Sequence, residues 1–460
     1  MNITKISPFF IAIIAILGIS SSVGAAINTN SVVLSATGEV VDVSPLLSDK
    51  KQIITPHSGF KEPGDVGLKA HTNFKFMIPH GGLNKLNARI NTSPYTAIGK
   101  PPYLGYGYNT PASIACAYNL VAPVVAGCIP DELIAHASGG SKAIALVDAY
   151  HYPYAKDDLT AFSTQFGLPL PGTTSSATTF PFQVVYASGS VPPTDPYGWE
   201  VEAALDLQWA HAMAPNAKLI LVEAASNSFT DLNAAVTMAS KLVAAAGGGE
   251  VSMSYGAYEF SAETAFESLY KTAKVVYFAS SGDDDGTSYP CTSPNVVCVG
   301  GTTLRRNPVT KAMFQEISWQ DGGSGISPYF ARPVYQNAIS SLVGAHRGVP
   351  DVSLVADPDS GVWVRYSPSD ESGSGWWIVG GTSLSSPAFA GIVNSAAHFY
   401  LSSAKELTRI YAAGLGATSA SMFRNISAGY CGPYVGWNAT LRPKWDLCTG
   451  VGSALGKVGK

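Results

Sequence analysis

Charged residues are scarce in this sequence. Of its 460 residues, 13% are Asp, Glu, Lys or Arg, against about 25% in an ordinary soluble chain. The formal net charge is −4, and no run of basic residues occurs. This excludes the electrostatic footprint of a nucleic-acid-binding protein. Because apolar residues make up 46%, the low charge does not indicate disorder, and the chain can bury a large core.

Long apolar runs are also absent beyond the first residues. After residue 26 no stretch reaches the ~18 uncharged apolar residues of a membrane-spanning helix. Within residues 1–26, Lys5 precedes the apolar run Pro8–Ile19, and the small residues Gly24–Ala26 follow. This layout predicts a cleaved secretory signal, with an N-terminal membrane anchor as the alternative. We therefore expect a secreted, extracellular protein without stable membrane association after the signal is removed.

The sequence has no C-x2-C pair of the kind that binds zinc. Its six cysteines form three neighbouring pairs, and short loops close most readily, so we predict three local disulfides rather than a metal site. Such bonds fit an oxidising, extracytoplasmic setting. The pairs are Cys116 with Cys128, Cys291 with Cys298, and Cys431 with Cys448.

The pattern along the chain changes near residue 135. Residues 27–105 are polar and irregular, which indicates a short N-terminal extension or propeptide. Further on, short apolar runs alternate with helical patterns, which favours an α/β fold, a parallel sheet with helices on both faces, in one large domain over residues 106–460. The predicted strands are Ala143–Val147, Lys218–Val222, Val251–Ser254 and Val275–Ala279, and the predicted helices are Trp199–Met213, Thr230–Ala246 and Ala262–Ala273.

A glycine-rich turn precedes Ser383. Gly380 and Gly381 lead into a segment of small apolar residues, Ala388–Ala397, which is typical of a helix that begins near the serine. At such a helix start a backbone N–H can point at an anion, and the hydroxyl is placed for attack. Ser383 is therefore a candidate nucleophile, and a simple helix cap is the alternative.

A nucleophilic serine needs a base, and the histidines do not supply an obvious one. None of the eight lies in a His-Gly-Thr turn, which disfavours a Ser-His-Asp subtilase. We interpret His211 as a solvated or helix-end residue. Glu202 and Asp206 lie four residues apart on one predicted helix face. On a solvated face they would be unremarkable, but in a cleft their repulsion would raise one pKa and let the pair share a proton.

Three successive acids follow the predicted strand Val275–Ala279. They are Asp283, Asp284 and Asp285, bounded by glycines. An acid at the carboxyl end of a strand is a candidate site residue, because ligands bind at that edge of a parallel sheet. A solvated turn or a cation-binding loop is the alternative.

The order of these motifs resembles the sedolisins, the serine-carboxyl peptidases that share the subtilisin fold. The resemblance covers about Tyr108 to Gly452. The matching stretches are Val147–Tyr150, Glu202–Asp206, Ala214–Ala217, Ser252–Gly256, Ser281–Asp283, Gly300–Thr302, Pro350–Ser353, Ala356–Pro358 and the Ser383 turn.

The resemblance implies a role for each acid. Ser383 would be the nucleophile and Glu202 the general base, while Asp206 would hold or share the Glu202 proton. Asp283 would join the Ser383 backbone N–H in the oxyanion hole, where a carboxyl donates only while protonated. Such a site works in acid and fails near neutrality. Asp148 is assigned a structural role.

The sequence departs from the family pattern in two places near these residues. The turn Gly282–Gly286 is one residue longer than the family's Gly-Asp-x-Gly, which leaves open which Asp faces the oxyanion. Residues 27–105 are shorter than the family's propeptide, so activation is not specified by the resemblance.

The resemblance also implies a Ca²⁺ ion in a C-terminal loop, where this sequence departs from the family's motif. An Asn or a backbone carbonyl can replace a carboxylate ligand, although nearby basic residues weaken binding. A disulfide-clamped loop that needs no ion is the alternative. The corresponding residues are Asn425, Ile426, Arg442, Lys444 and Asp446.

We expect a secreted, acid-acting serine-carboxyl endopeptidase, with protein or peptide substrates and a monomeric state. A catalytically inactive sedolisin-like module that binds peptides is the alternative from another class, and tripeptidyl-peptidase action also stays open. Retention of Ser383, Glu202 and Asp283 favours the enzyme.

Overall fold

The computed structural model describes residues 51–79, 97–370, 374–432 and 444–460, together with the backbone of residues 32–34 and 40–42. The predicted signal segment, residues 1–26, and Arg442 lie outside the described residues. Within the described part, no helix is both long and apolar enough to cross a membrane.

A large, mostly parallel sheet forms the centre of the molecule, as predicted. Its strand order is β15-β14-β12-β10-β6-β9-β8-β7, with β18 paired to β14, and every described pair is parallel except β14 with β15. The strands are β1 (Val32–Leu34), β2 (Val40–Asp42), β3 (Gln52–Ile54), β4 (His71–Thr72), β5 (Lys75–Ile78), β6 (Ala143–Ala149), β7 (Leu170–Gly172), β8 (Thr179–Tyr186), β9 (Lys218–Ala224), β10 (Gly249–Met253), β11 (Tyr255–Tyr258), β12 (Val275–Ser280), β13 (Ser288–Tyr289), β14 (Val297–Arg306), β15 (Met313–Ser318), β16 (Gly325–Ala331), β17 (His346–Val349), β18 (Val352–Val355), β19 (Val362–Tyr366), β20 (Gly375–Gly380), β21 (Phe423–Arg424) and β22 (Ser453–Ala454).

Helices cover both faces of this sheet. Helices α3 and α6 pack against each other on one face, and α4 lies on the other. The helices are α1 (Pro111–Ala117), α2 (Ala155–Phe166), α3 (Trp199–Met213), α4 (Phe229–Ala245), α5 (Ser340–Val343), α6 (Thr382–Ala396) and α7 (Ser403–Leu415). Short 3-10 segments are His57–Gly59, Pro63–Asp65, Ser261–Tyr270, Val334–Ile339, Pro358–Ser360 and Ser419–Ser421.

The alternation of side chains along β6 builds two cores. Ile144 and Leu146 point into the core beneath α3 and α6, whereas Ala145 and Val147 point into the core beneath α4. Successive side chains on a strand face opposite sides, so a strand that is apolar at every position must be covered on both faces. For this reason polar and apolar residues do not alternate along β6, and its first polar residue is Asp148.

The N-terminal extension takes part in the pairing of the main fold. Strands β3 and β5 continue a small sheet in the order β19-β20-β5-β3, and β4 pairs antiparallel with β11. Residues 51–79 therefore do not lie apart from the α/β fold. Their polar, irregular composition gave no sign of this, because each strand is two to four residues long.

Two local predictions differ from the structure. The segment expected as an α-helix over Ala262–Ala273 is instead a 3-10 helix, Ser261–Tyr270. His211 lies in the last turn of α3 but is fully buried, not solvated. Its ring stacks on Phe180, its Nε2 lies 2.9 Å from the Pro169 carbonyl, and burial lowers its pKa to about 3.

Candidate active site

Ser383 lies in the first turn of α6, where the chain passes directly from strand β20 into the helix. The turn depends on Gly381, whose φ of +117° is in the region that favours glycine. A Cβ at Gly381 would overlap the carbonyl oxygen of Asn73 and the carboxyl of Asp283. The glycine-rich sequence therefore allows the backbone at Ser383 to approach both groups.

Pro387 and Ser254 hold the serine in place. Because Pro387 has no N–H, the Ser383 carbonyl four residues earlier loses its helical donor. It accepts instead from the Ser254 hydroxyl at 3.2 Å, while the Ser383 hydroxyl donates to the Ser254 carbonyl at 2.9 Å. The two serines thus make reciprocal hydrogen bonds across the gap between α6 and the end of β10.

Glu202 and Asp206 project from α3, and this helix is buried over its whole length. Both carboxyl groups are completely buried. None of their four oxygens has a hydrogen-bond partner among the described residues. Burial raises the pKa of Glu202 well above its ordinary value, with further contributions from Asp206 and Asp148, and the adjacent Ser383 hydroxyl opposes the shift. The pair therefore favours a shared proton over two charges.

Asp148 is a third buried acid in the same cluster. It stands near the carboxyl end of β6, is fully buried, and finds no hydrogen-bond partner among the described residues. Burial raises its pKa, and its own charge contributes to the raised pKa values of Glu202 and Asp206. The structural role assigned from the sequence omitted this electrostatic contact, because spacing along the chain does not show which strand end faces α3.

The long acidic turn places Asp283, and not its neighbours, at the site. Asp283 is 5% exposed, and its Oδ1 accepts from the Thr382 backbone N–H at 2.7 Å and the Thr382 hydroxyl at 2.8 Å. Its Oδ2 is buried without a hydrogen-bond partner in the described structure. Burial raises the pKa of Asp283 to about 7, and the Lys75 ammonium opposes this shift. Asp284 and Asp285 are exposed.

Two known proteins are similar to this chain in sequence. Kumamolisin from Bacillus sp. (strain MN-32) is 27% identical over 379 residues, which are 75% of this chain and 62% of the relative. Sedolisin from Pseudomonas sp. (strain 101) is 30% identical over 207 residues, or 42% of this chain and 33% of the relative. The chain thus spans less than two thirds of these relatives. No family model matches it.

A solved structure gives the fold. Pseudomonas sedolisin, described as a serine-carboxyl proteinase complexed with two molecules of pseudo-iodotyrostatin, matches with a TM-score of 0.60 at 22% identity, over 76% of this chain and 97% of that one. The chain is similar to the sedolisins in sequence and shares the fold of this structure. The predicted subtilisin-like α/β fold is confirmed.

The cleft of this sedolisin-like chain is occupied by its own residues 71–75. The Asn73 carbonyl accepts from the Ser383 backbone N–H at 2.9 Å, and the Asn73 N–H donates to Ser383 Oγ at 3.2 Å. The Lys75 ammonium donates to the Asp283 carbonyl at 3.1 Å and to Asp321 at 2.9 Å. Sequence reasoning missed Asn73 and Lys75, which carry no local motif.

The described residues of the altered C-terminal loop do not fit a calcium ion. Asp446 accepts at Oδ1 from the Cys448 and Thr449 backbone N–H groups and at Oδ2 from the Thr449 hydroxyl, so its oxygens face its own turn. The Asn425 side-chain oxygen accepts from the Lys444 N–H. Within the described residues no cluster of three or more acids, histidines or cysteines could hold a metal.

Two further loop residues bear on the same question. Ile426 is buried, and the Lys444 ammonium donates to the Leu415 and Gly416 carbonyls at 3.4–3.5 Å. Calcium stays a prediction, and the geometry favours the disulfide-clamped alternative. All three predicted disulfides, including Cys431–Cys448, are present.

Proposed function

We propose that the chain is a secreted, acid-acting serine-carboxyl endopeptidase that hydrolyses peptide bonds through an acyl-enzyme on Ser383. One observation carries the proposal. The Ser383 hydroxyl adjoins the buried carboxyl of Glu202, and the turn at Gly381 and Thr382 directly before Ser383 contacts the buried carboxyl of Asp283, although the three residues come from separate segments. Nucleophile, base and oxyanion donor are the parts that acyl transfer requires.

Glu202 acts as the general base. Its carboxyl lies beside the Ser383 hydroxyl, and it can take the hydroxyl proton only in its charged form. Burial raises the pKa values of Asp206 and Asp148, so both favour the protonated, neutral form in this cluster. With its neighbours neutral, Glu202 can carry the one negative charge of the cluster.

Asp283 and the Ser383 backbone N–H stabilise the oxyanion. Backbone geometry fixes the N–H, and the Thr382 bonds fix one oxygen of Asp283, so its second oxygen faces the reacting carbonyl without rotating. Because a carboxyl donates only while protonated, this arrangement works below the Asp283 pKa of about 7.

The course of residues 71–75 supports endopeptidase action over tripeptidyl-peptidase action. The chain passes through the cleft without an end near Ser383, from β4 on one side to β5 on the other. A cleft that accommodates polypeptide on both sides of the reacting carbonyl admits an internal peptide bond. A peptide-binding module without catalysis would use the same groove, and the activity assay separates the two.

The test is a pH profile of kcat/KM on a denatured protein substrate from about pH 2 to 8. We expect an acidic maximum that disappears in Ser383→Ala. Ser385→Ala is the matched control, since Ser385 lies on the same helix and its hydroxyl donates to the Leu354 and Val355 carbonyls of β18. Binding of peptides without hydrolysis by the wild type would instead support the inactive module.

A further inference from the structure

We propose that Glu259 is a positioning residue for the reaction: its carboxyl anchors the end of the acidic turn, Gly282–Gly286, and so keeps Asp283 at the oxyanion position. The inference rests on the proposed function and adds to it a residue that acts through Asp283 without contacting the reacting atoms. It depends on which groups the Glu259 carboxyl binds, how the rest of the acidic turn is held, and what lies behind that carboxyl.

Two short strands bring Glu259 to the end of the acidic turn. Strands β11 and β13 pair antiparallel, with Tyr258 opposite Ser288. Glu259 directly follows β11, and Thr287 directly precedes β13. Because antiparallel neighbours continue in the same register, these two residues come to lie opposite each other. The pairing thus places a carboxyl beside the residue that follows the acidic turn.

The Glu259 carboxyl bridges Thr287 to β16. Its Oε2 accepts from the Thr287 hydroxyl at 2.7 Å, and its Oε1 accepts from the Ser327 hydroxyl at 2.6 Å. Ser327 is buried, and its oxygen accepts from the Tyr329 and Phe330 backbone N–H groups. Those two bonds fix the oxygen and leave the single hydroxyl proton for Glu259. The carboxyl therefore ties the end of the turn to a hydroxyl that is itself held in place.

The segment just before β16 binds the backbone of the same turn. The Gly323 N–H donates to the Gly282 carbonyl at 2.8 Å. The Ser324 N–H donates to the Gly286 carbonyl, also at 2.8 Å. Since this segment continues directly into β16, the main-chain bonds and the Glu259 bridge attach the acidic turn to one stretch of chain.

The other end of the acidic turn contacts α6. The Gly282 N–H donates to the Thr382 hydroxyl at 3.1 Å, and Thr382 donates from its own N–H and hydroxyl to Asp283 Oδ1. Asp283 lies four residues before Thr287, so movement at Thr287 is transmitted to Asp283 through a short piece of backbone. A misplacement of about 1 Å can cost about 10²-fold in rate. The bond at Thr287 therefore bears on catalysis although it lies outside the site.

Glu263 lies behind the Glu259 carboxyl. Glu263 is fully buried, its Oε2 accepts from the Phe260 N–H at 2.8 Å, and its Oε1 accepts no hydrogen bond from a described group. The titratable groups that face it are Glu259, Glu267 in the same 3-10 segment, and Tyr289 in β13. Burial raises the pKa of Glu263 to about 9, and the charge of Glu259 adds to the shift. In acid Glu263 is therefore neutral, so it does not repel Glu259 and can donate its proton to it.

Glu267 provides a matched comparison for a purely structural role. It lies in the same 3-10 segment as Glu263, and its Oε2 accepts from the Ser293 hydroxyl at 2.9 Å and the Asn295 amide at 2.7 Å. Both partners lie between β13 and β14, beyond the acidic turn. Removing the Glu267 carboxyl thus costs two hydrogen bonds, as at Glu259, without releasing the turn.

The first measurement is steady-state kinetics of the full chain on a denatured protein substrate. Glu259→Ala should lower kcat about tenfold at unchanged KM, because Asp283 contributes in the transition state. Glu259→Gln should retain most of the activity, since its amide oxygen can accept from Ser327 while its N–H donates to the Thr287 oxygen. Glu267→Ala is the control, and we expect the wild-type kcat.

The second measurement is the pH profile of kcat/KM. Burial holds the pKa of Asp283 at about 7, and the charged groups facing it, Lys75 and Asp284, are unchanged in these variants. Release of the turn admits water to Asp283, which lowers its pKa toward the ordinary value. The donor is then lost at lower pH, so the alkaline limb should move toward acid in Glu259→Ala. Loss of folded protein alone would scale the profile without moving this limb.

The third measurement is amide hydrogen exchange, which does not depend on activity. The N–H groups of Gly323 and Ser324 report on the bonds to the turn, and we expect them to exchange about tenfold faster in Glu259→Ala and at the wild-type rate in Glu267→Ala. Thr287→Val removes the same hydroxyl bond at nearly constant volume and should have a similar effect. Combined with Glu259→Ala it should add little, because the two substitutions break one shared bond. Thr287→Ser keeps the hydroxyl and should restore slow exchange.

The results separate this inference from the proposed function. If wild type hydrolyses the substrate and Glu259→Ala keeps the wild-type kcat and alkaline limb, the inference fails and the peptidase stands. If wild type shows no hydrolysis, the proposed function fails, and the exchange rates alone decide whether Glu259 anchors the turn. Equal exchange at Gly323 and Ser324 in wild type, Glu259→Ala and Thr287→Val overturns the inference in either case.

Discussion

The carboxyl group of Asp283 accepts two hydrogen bonds from Thr382, one from the backbone N–H at 2.7 Å and one from the hydroxyl at 2.8 Å. Both go to the same oxygen. The pairing joins the turn after β12 to the first residue of α6, and it leaves the second oxygen unpaired beside the Asn73 carbonyl. The acid is therefore oriented by the residue that precedes Ser383.

Asp283→Asn should change the shape of the pH profile. In wild type the donor is lost as pH rises through the Asp283 pKa of about 7, whereas an amide donates at any pH. One oxyanion donor contributes about 10²–10³ in kcat, so the alkaline limb should broaden while the Glu202 cluster still limits the acid side. Asp284→Asn is the control, as its side chain is 49% exposed. Identical profile shapes for wild type and Asp283→Asn would refute the carboxyl donor.

Ser383 and Glu202 should act as a unit. We expect Ser383→Ala and Glu202→Gln each to lower kcat by about 10⁴-fold and the double variant to lose little more, because neither residue contributes without the other. Single-turnover kinetics on a denatured protein measures this. Multiplicative losses in the double variant would show that Glu202 does not serve Ser383.

The folded protein should be most stable in acid. Burial raises the pKa of Glu406 to about 8 from an ordinary 4.5, so the folded state holds its proton where the unfolded chain has released it. The stability from this group is full below about pH 4 and is lost as pH rises toward 8. Urea unfolding between pH 4 and 8 should show the decline.

Glu406→Gln provides the control for that decline. Glu406 is fully buried and its carboxyl oxygens have no hydrogen-bond partner in the described structure. An amide does not titrate, so the variant should have a shallower dependence of unfolding free energy on pH. A wild-type stability that rises from pH 4 to 8 would contradict the sign derived from these raised pKa values.

A chelator should leave the melting temperature unchanged. The Asp446 oxygens are taken up by its own turn, and Cys431–Cys448 closes the loop. Reduction of the disulfides, or Cys431→Ser with Cys448→Ser, should lower the melting temperature, because a closed loop of this size contributes about 3 kcal/mol. Scanning calorimetry with and without chelator measures the melting temperature and distinguishes a calcium-bound loop from one held by the disulfide. A marked fall with chelator would restore the calcium site predicted from the family.

Much of the α/β frame could be predicted because burial on two faces leaves a direct trace in the sequence. The apolar run at β6 and the helical spacing in α3 gave elements that differ from the observed ones by at most two residues. The alternation of strands and helices then fixed a parallel sheet, and its carboxyl edge indicated where Asp283 would lie.

The burial of α3 could not be predicted from its sequence. Glu202, Asp206 and His211 suggest a solvated face, and only the packing of α6 and the sheet around them removes that face from water. The same packing places Asp148 beside Glu202. These are tertiary effects, since a helix face is polar or apolar by composition but becomes buried only through its neighbours.

The segment that occupies the cleft could not be predicted from the sequence either. Asn73 stands in a polar stretch without periodicity, and β4 consists of two residues. Its partners, Ser280 and Ser383, lie far along the chain, so no local pattern links them. The choice among three successive acids was likewise settled by exposure and not by spacing.

The separation of 310 positions between Asn73 and Ser383 has a consequence for synthesis. At ~5–20 residues per second, Asn73 leaves the ribosome about 15 to 60 s before Ser383. Contacts of such sequence separation form late in folding, because the intervening chain must first be ordered. During that interval the polypeptide lacks residue 383, so the peptidase activity that we propose cannot arise until synthesis of the chain is almost finished.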